Sequence, residues 1–127
     1  MIYPFKSKPV FLPQGTGGRL KAKNPNAATS ELEERWVAQS RVLYLGKAGA
    51  PGESGTLHER IKHASQFGRG RRVAHWGGRL IWQIGGSADL LIRWRATPNE
   101  VPRRVEQHLI RKLVSHYSML PFANLRD

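Results

Sequence analysis

Cysteine is absent from this 127-residue chain, and aspartate occurs only twice, as Asp89 and Asp127. The lack of cysteine excludes disulfide frameworks, thiolate zinc sites and cysteine nucleophiles. No apolar run approaches the roughly 18 residues of a membrane-spanning helix. Residues 1–6 also lack the apolar stretch of a signal peptide. We therefore expect a cytoplasmic protein without a membrane partner.

Positive charge dominates what is present. The chain has 21 Lys and Arg against nine Asp and Glu, a formal net charge of +12, and 14 of the 21 are Arg. Two stretches, 1–30 and 60–88, contain basic residues and no acid. Guanidinium groups suit phosphate oxygens, and a polyanion relieves the self-repulsion of such a chain. We expect a nucleic-acid partner, with DNA favoured over RNA. Its backbone would contact Lys21, Lys23, Arg69, Arg71 and Arg72.

Two capping boxes and one long amphipathic stripe predict three helices. The first helix is brief and ends near residue 37, and the second ends at Gly68. The third runs from about Asn99 to Tyr117, with Pro102 in its first turn. The capping residues are Ser30 with Glu33 for the first helix and Thr56 with Glu59 for the second.

Short apolar runs between turn residues predict strands. With 39% apolar residues, a chain of this length can form one hydrophobic core. The patterns thus predict a single α+β domain over residues 1–127, with helices flanking a small sheet of three or four strands. The candidate strands are residues 9–12, 41–45, 80–84 and 90–95.

Several familiar catalytic patterns are missing. The glycine run at 15–18 is followed by Arg-Leu rather than Gly-Lys-Ser/Thr, so it is not a nucleotide P-loop. His58 and His63 would lie about 140° apart around a helix, so they cannot share a zinc ion. Neither aspartate lies in a motif that would complete a Ser-His-Asp set. Between residues 101 and 126 the only acid is Glu106, which leaves no paired carboxylates there.

Four motifs nevertheless follow one another along residues 9–126. They are Tyr44-Leu45-Gly46 followed by Lys47, then Arg60, then Glu106, and finally Pro121-Phe122-Ala123-Asn124. In this order and spacing the chain resembles the GIY-YIG nuclease family. Each motif is weak on its own, and four of them on a strongly basic chain are more specific.

The resemblance implies a mainly antiparallel sheet and a metal-dependent endonuclease that hydrolyses phosphodiester bonds in DNA. Glu106 would hold one Mg²⁺ or Mn²⁺, and water and substrate oxygens would fill its remaining positions. Arg60 would bind the scissile phosphate. Tyr44 would stand near the attacking water, as a base or to orient it.

Three further residues complete the catalytic set that the resemblance implies. Lys47 would supply positive charge near Tyr44. His63 would be an auxiliary proton-transfer group. Asn124 would brace the site rather than react.

The chain also departs from the family pattern. Phe11 stands where the first signature has a tyrosine, and a long insertion with a short helix, at about 13–40, separates the two signature segments. His63 comes one position before the expected place, which Ala64 occupies. Phe11 and His63 motivate an alternative function, a catalytically impaired nucleic-acid-binding module of the same fold. A third alternative, an unrelated ribosome-associated protein, requires all four motifs to be coincidental.

Ordinary structural roles stay open for the same residues. Tyr44 would be a core aromatic, Arg60 a solvated helix residue and Asn124 a turn residue. Glu106 would form an ion pair with Arg103 or Arg60. Among the tryptophans, core positions are expected for Trp76, Trp82 and Trp94, with His75-Trp76 as an alternative base-stacking site.

Overall fold

Helices make up the regular structure of the part of this protein that the computed structural model describes, residues 1–49 and 55–127. In these ranges no helix has the length and apolar character needed to cross a membrane. The α-helices are α1 (Thr29–Arg35), α2 (Leu57–Gly68) and α3 (Pro102–Tyr117), and the 3-10 segments are Leu20–Ala22, Trp76–Gln83 and Ser87–Asp89.

The three helices lie where the sequence predicts them. The capping box of Thr56 with Glu59 is confirmed at the start of α2. Pro102 is the first residue of α3, where its missing N–H needs no partner. The capping box predicted at Ser30 is wrong, because α1 already begins at Thr29 and its cap residue, Ala28, makes no side-chain hydrogen bond.

The predicted sheet is wrong. The described residues contain only isolated antiparallel bridges, which join Ile2 to Val42, Ile2 to Leu91, and Phe11 to Ile84. Proline limits these pairings, because it has no N–H to donate to a ladder. Its positions are Pro4, just after Tyr3, and Pro9 and Pro13, on either side of the Phe11 segment.

The apolar run at residues 80–84 is the second reason why the predicted sheet is wrong. It belongs to the 3-10 segment Trp76–Gln83 and its C-cap rather than to a strand. A 3-10 helix aligns residues three apart, and Ile81 and Ile84 are both fully buried at that spacing. Apolar residues therefore occur here without the alternation of a half-buried strand.

Aromatic rings fill the centre of the core. Phe11 stacks on Phe122 with ring centroids 5.5 Å apart, and Trp36 meets both rings edge-on. Leu32 on α1 is fully buried in the same cluster. The segment at 13–40 is an insertion relative to the family pattern that the sequence resembles. It nevertheless contributes directly to the core.

Gln83 fastens this segment to the rest of the fold. Its side chain is 1% exposed. The Nε2 group donates to the carbonyl oxygens of Leu12 and Ala27 at 3.0 and 2.9 Å. Its Oε1 accepts from the Ala27 amide at 2.8 Å. One buried carboxamide therefore provides hydrogen-bond partners for three backbone groups that lie outside regular secondary structure.

We predict that Gln83→Met destabilises the protein by roughly 2–4 kcal/mol, because methionine has a similar shape but leaves these backbone groups unpaired. Urea unfolding followed by circular dichroism measures the change. The matched control is Gln39→Met at an exposed position, which should alter the free energy of unfolding by less than about 0.5 kcal/mol. Equal effects of the two substitutions would contradict the role assigned to Gln83.

Candidate functional site

A cavity of about 600 Å³ lies between α2, α3 and the chain segments at 44–48 and 92–98. This volume is within the usual range for ligand sites, roughly 300–1,000 Å³. Four residues singled out from the sequence line it together. They are Tyr44, Lys47, Arg60 and Glu106.

Arg60 and Tyr44 form a hydrogen bond in the cavity wall. Nη2 of Arg60 donates to the Tyr44 hydroxyl oxygen at 3.1 Å. The Tyr44 side chain is buried, whereas Arg60 is half-buried. The Nε–H group of Arg60 is buried and meets no hydrogen-bond acceptor among the described residues. An unpaired buried donor of this kind is a cost to the folded protein.

The start of α2 sets the position of Arg60. Thr56 Oγ1 accepts a hydrogen bond from the Glu59 amide at 3.1 Å, and Glu59 Oε2 accepts one from the Thr56 amide at 2.9 Å. The hydrogen bond from the Thr56 backbone holds the pKa of Glu59 below its usual value. The Arg60 amide then donates to the Thr56 carbonyl oxygen at 3.0 Å and closes the first turn. The helix thus begins at a defined residue, which fixes where Arg60 enters the cavity.

Asn124 and its neighbour hold the segment that carries Tyr44. Asn124 Oδ1 accepts from the Leu45 amide and Nδ2 donates to the Leu45 carbonyl oxygen, both at 2.9 Å. The Ala123 amide donates to the Leu43 carbonyl oxygen at 2.8 Å. Asn124 is buried and is not among the residues that line the cavity. Its side chain therefore supports the site from behind.

Glu106 lies on α3, and its side chain is 12% exposed. Arg103 donates from Nη1 to Glu106 Oε2 at 2.7 Å, so one of the two ion pairs considered from the sequence is present. Arg103 is not among the cavity-lining residues, whereas Glu106 is. A cavity-lining carboxylate is therefore paired with a guanidinium from a residue that does not line the cavity.

Lys47, His63 and Phe11 occupy different environments. Lys47 lines the cavity and donates from Nζ to the Gly49 carbonyl oxygen at 3.0 Å. His63 is half-buried on α2 and does not line the cavity. Phe11 lies in the core against Phe122. The structure thus places Lys47 in the same cavity as Tyr44, and His63 and Phe11 elsewhere.

The two basic stretches meet in space. The Gly18 amide donates to the Phe67 carbonyl oxygen at 2.8 Å, and a Cβ atom on Gly18 would lie 1.9 Å from the Arg71 carbonyl oxygen. The loop after α2 therefore packs directly on the loop before Leu20–Ala22. The predicted backbone-binding residues are exposed and lie outside the cavity lining; they are Lys21, Lys23, Arg69, Arg71 and Arg72.

His75 belongs to the cavity, although the sequence suggested it only as a stacking residue. Its side chain is 2% exposed, so the stacking interpretation of His75 is wrong. The ring meets Tyr44 and Phe67 edge-on, with centroids 5.8 and 5.9 Å away. Neither ring nitrogen has a partner among the described residues. The glycine at 78 gives the sequence signal for this close packing, because a Cβ there would lie 2.6 Å from His75 Nε2.

Trp94 also departs from expectation. It is 68% exposed and lines the cavity, so the predicted core position is wrong. Trp82 packs against the core, as predicted. Trp76 is half-buried, with the Arg79 guanidinium carbon 4.8 Å from its ring centroid.

Comparison with family models, curated proteins and solved structures finds no match for the chain. The resemblance to GIY-YIG nucleases therefore depends on the four motifs alone. The contacts around the cavity do not depend on that resemblance, since each follows from the positions of the side chains.

Burial gives His75 a measurable pH dependence. Desolvation, with added repulsion from Arg60 and His63, lowers the pKa of His75 to about 4. The unfolded chain takes up this proton near pH 6.5 and the folded chain only near pH 4. His75 therefore stabilises the fold above pH 6.5, and this contribution is lost as the pH falls toward 4.

We predict that His75→Gln removes about 2–3 kcal/mol of the drop in unfolding free energy between pH 7 and pH 4.5. Urea denaturation at both pH values measures the drop. His108→Gln, at an exposed position on α3, is the control and should retain it. If the His75 variant loses as much stability on acidification as the unmodified protein, the assignment is wrong.

Proposed function

We propose that this chain is a metal-dependent endonuclease of the GIY-YIG type that hydrolyses phosphodiester bonds in DNA, with the cavity as its active site. The observation that supports this function best is the 3.1 Å hydrogen bond from Arg60 to Tyr44 in a cavity that Glu106 also lines. Phosphodiester hydrolysis needs neutralised phosphate oxygens and an activated water, and these side chains suit both tasks. A cytoplasmic location, expected from the sequence, is part of the same proposal.

The charge around the cavity favours a phosphate-bearing ligand. Among the described residues that line the cavity, one is acidic, Glu106, and four are basic, and Arg103 already forms an ion pair with the Glu106 carboxylate. The Arg60 guanidinium, which already donates to Tyr44 from Nη2, is a group that binds phosphate oxygens through several N–H donors. The basic residues that line the cavity are Lys47, Arg60, Arg93 and Arg95.

Tyr44 is placed to orient a water molecule. Its hydroxyl oxygen accepts the hydrogen bond from Arg60, so the hydroxyl proton points elsewhere and the oxygen keeps a second accepting position. A water hydrogen-bonded there would lie beside a phosphate held by Arg60. The backbone hydrogen bonds from Asn124 limit how far Tyr44 can shift.

The donor set suits a hydrated divalent cation. The described residues contain no group of three or more His, Asp or Glu side chains able to hold a metal ion. Mg²⁺ commonly keeps several waters and needs only one or two carboxylates, so Glu106 suffices as its protein ligand. When bound, the ion would supply Lewis-acid stabilisation of charge on the phosphoryl oxygens. Arg103 competes with it for Glu106 Oε2.

The alternative function, a nucleic-acid-binding module without catalysis, has its own support. The Arg103–Glu106 ion pair occupies the carboxylate that the metal requires. His63 lies outside the cavity lining, and Phe11 is a core residue. Binding would then depend on the exposed basic residues Lys21, Lys23, Arg69, Arg71 and Arg72. Cleavage would be absent.

We predict that the protein nicks DNA in Mg²⁺ or Mn²⁺, and that Glu106→Gln and Arg60→Gln each reduce the rate by roughly 10²–10³. Gel assays on single-stranded and duplex DNA measure the rate. The matched controls are Glu34→Gln and Arg104→Gln, which change exposed residues outside the cavity and should leave the rate within about twofold. Salt-sensitive binding without cleavage would instead establish the binding module.

We further predict that Arg103→Gln lowers the Mn²⁺ concentration for half-saturation by roughly two- to fivefold, because it removes the competing cation from Glu106. Titration monitored by water-proton relaxation measures metal binding directly. Arg104→Gln, on the same helix, is the control. Unchanged or weaker metal binding in Arg103→Gln would show that the ion does not use this carboxylate.

A further inference from the structure

Residues 91–95 form a ledge of exposed apolar and basic side chains at the cavity. Trp94 is 68% exposed and Ile92 is 41% exposed, and both line the same cavity as Arg60. The other three tryptophans are half-buried. Such exposure of an indole next to a binding cavity marks a surface for a ligand with a flat apolar face.

The start of the ledge is held firmly. The Ile2 amide donates to the Leu91 carbonyl oxygen at 2.8 Å, and the Leu91 amide donates to the Ile2 carbonyl oxygen at 3.0 Å. This bridge connects the ledge to the segment that carries Tyr44, because Ile2 is also bridged to Val42. The backbone at the start of the ledge therefore has a defined position relative to the segment that carries Tyr44.

Basic side chains flank the indole on both sides in sequence. Arg93 and Arg95 line the cavity, and both are exposed. Arg95 contacts Glu100 at 3.3 Å, an exposed ion pair of the kind that contributes little and exchanges readily for a phosphate contact. An aromatic face between guanidinium groups is the combination that binds single-stranded nucleic acid, by stacking on a base and neutralising its phosphates.

We propose that Trp94 stacks on an unpaired base of single-stranded DNA, while Arg93 and Arg95 contact the adjacent phosphates. This inference rests on the proposed function, in which the cavity takes a DNA phosphodiester, and it specifies the substrate class. Inside a duplex both faces of a base are covered by neighbouring base pairs. Away from duplex ends, only an unpaired base, in a single strand or at a branch, can offer its face to the indole.

Binding without metal tests the inference separately from catalysis. Anisotropy titrations of the full chain in EDTA compare a labelled single strand with a blunt duplex of the same length. We expect the single strand to bind more tightly. Trp94→Ala should weaken single-strand binding by roughly 5- to 150-fold and leave duplex binding within about twofold, whereas Trp94→Phe should retain most of the affinity.

Two comparisons separate stacking from general effects. Phe5→Ala removes an exposed aromatic outside the cavity and should leave single-strand binding unchanged. Trp94→Ala should keep the salt dependence of binding, whereas Arg93→Gln and Arg95→Gln should each reduce its logarithmic slope by up to about 0.7.

The inference is overturned if Trp94→Ala weakens duplex and single-strand binding equally, if it weakens neither, or if a single-stranded RNA of the same sequence binds more tightly than the DNA. These results do not depend on cleavage. Metal-dependent nicking that requires Glu106 would leave the nuclease proposal standing even if stacking failed. Stacking without any nicking would support the DNA-binding role of the ledge and would contradict the nuclease proposal.

Discussion

The carboxamide of Asn124 against the backbone of Leu45 is the contact on which the cavity depends. In a sheet, the neighbouring strand would satisfy the amide and carbonyl of a buried extended segment. Here a side chain near the C-terminus does so, with both hydrogen bonds at 2.9 Å, and the Ala123 amide continues the pairing at Leu43. The segment is therefore as fully bonded as a central strand at these positions. Tyr44 is held in place although the described residues form no continuous sheet.

Positive charge is concentrated around the cavity. Like charges around a partly enclosed cavity repel one another more strongly than charges spread over an exposed surface, since solvent screens them less. Among the described residues that line the cavity, Glu106 is the acidic one that would offset them, and Arg103 already forms an ion pair with it. Binding an anion would thus stabilise the folded protein as well as the complex. The same repulsion, from Arg60 and His63, contributes to keeping His75 neutral.

Local chemistry made the helices predictable, whereas tertiary packing decided the rest. The capping box of Thr56 with Glu59 and the proline at the start of α3 act within one helical turn, so the sequence displays them directly. The apolar run at 80–84 fits a strand or a buried 3-10 segment equally well, and only its packing distinguishes the two. The motif order singled out Tyr44, Lys47, Arg60 and Glu106, which share one cavity. The exposure of Trp94 depends on distant segments, so no local pattern could reveal it, whereas the glycine at 78 is a local sign of the close packing around His75.

Charge limits the chemistry of the ligand that the cavity can take. Among the described residues that line it, the acidic one is Glu106, which Arg103 already pairs, and the basic ones are Lys47, Arg60, Arg93 and Arg95. A cationic ligand, such as an amine, would be repelled by these basic side chains. An anion rich in oxygen acceptors would satisfy both their charge and their N–H donors. Phosphodiesters combine these properties, and the indole at the edge adds a preference for those that carry an exposed base.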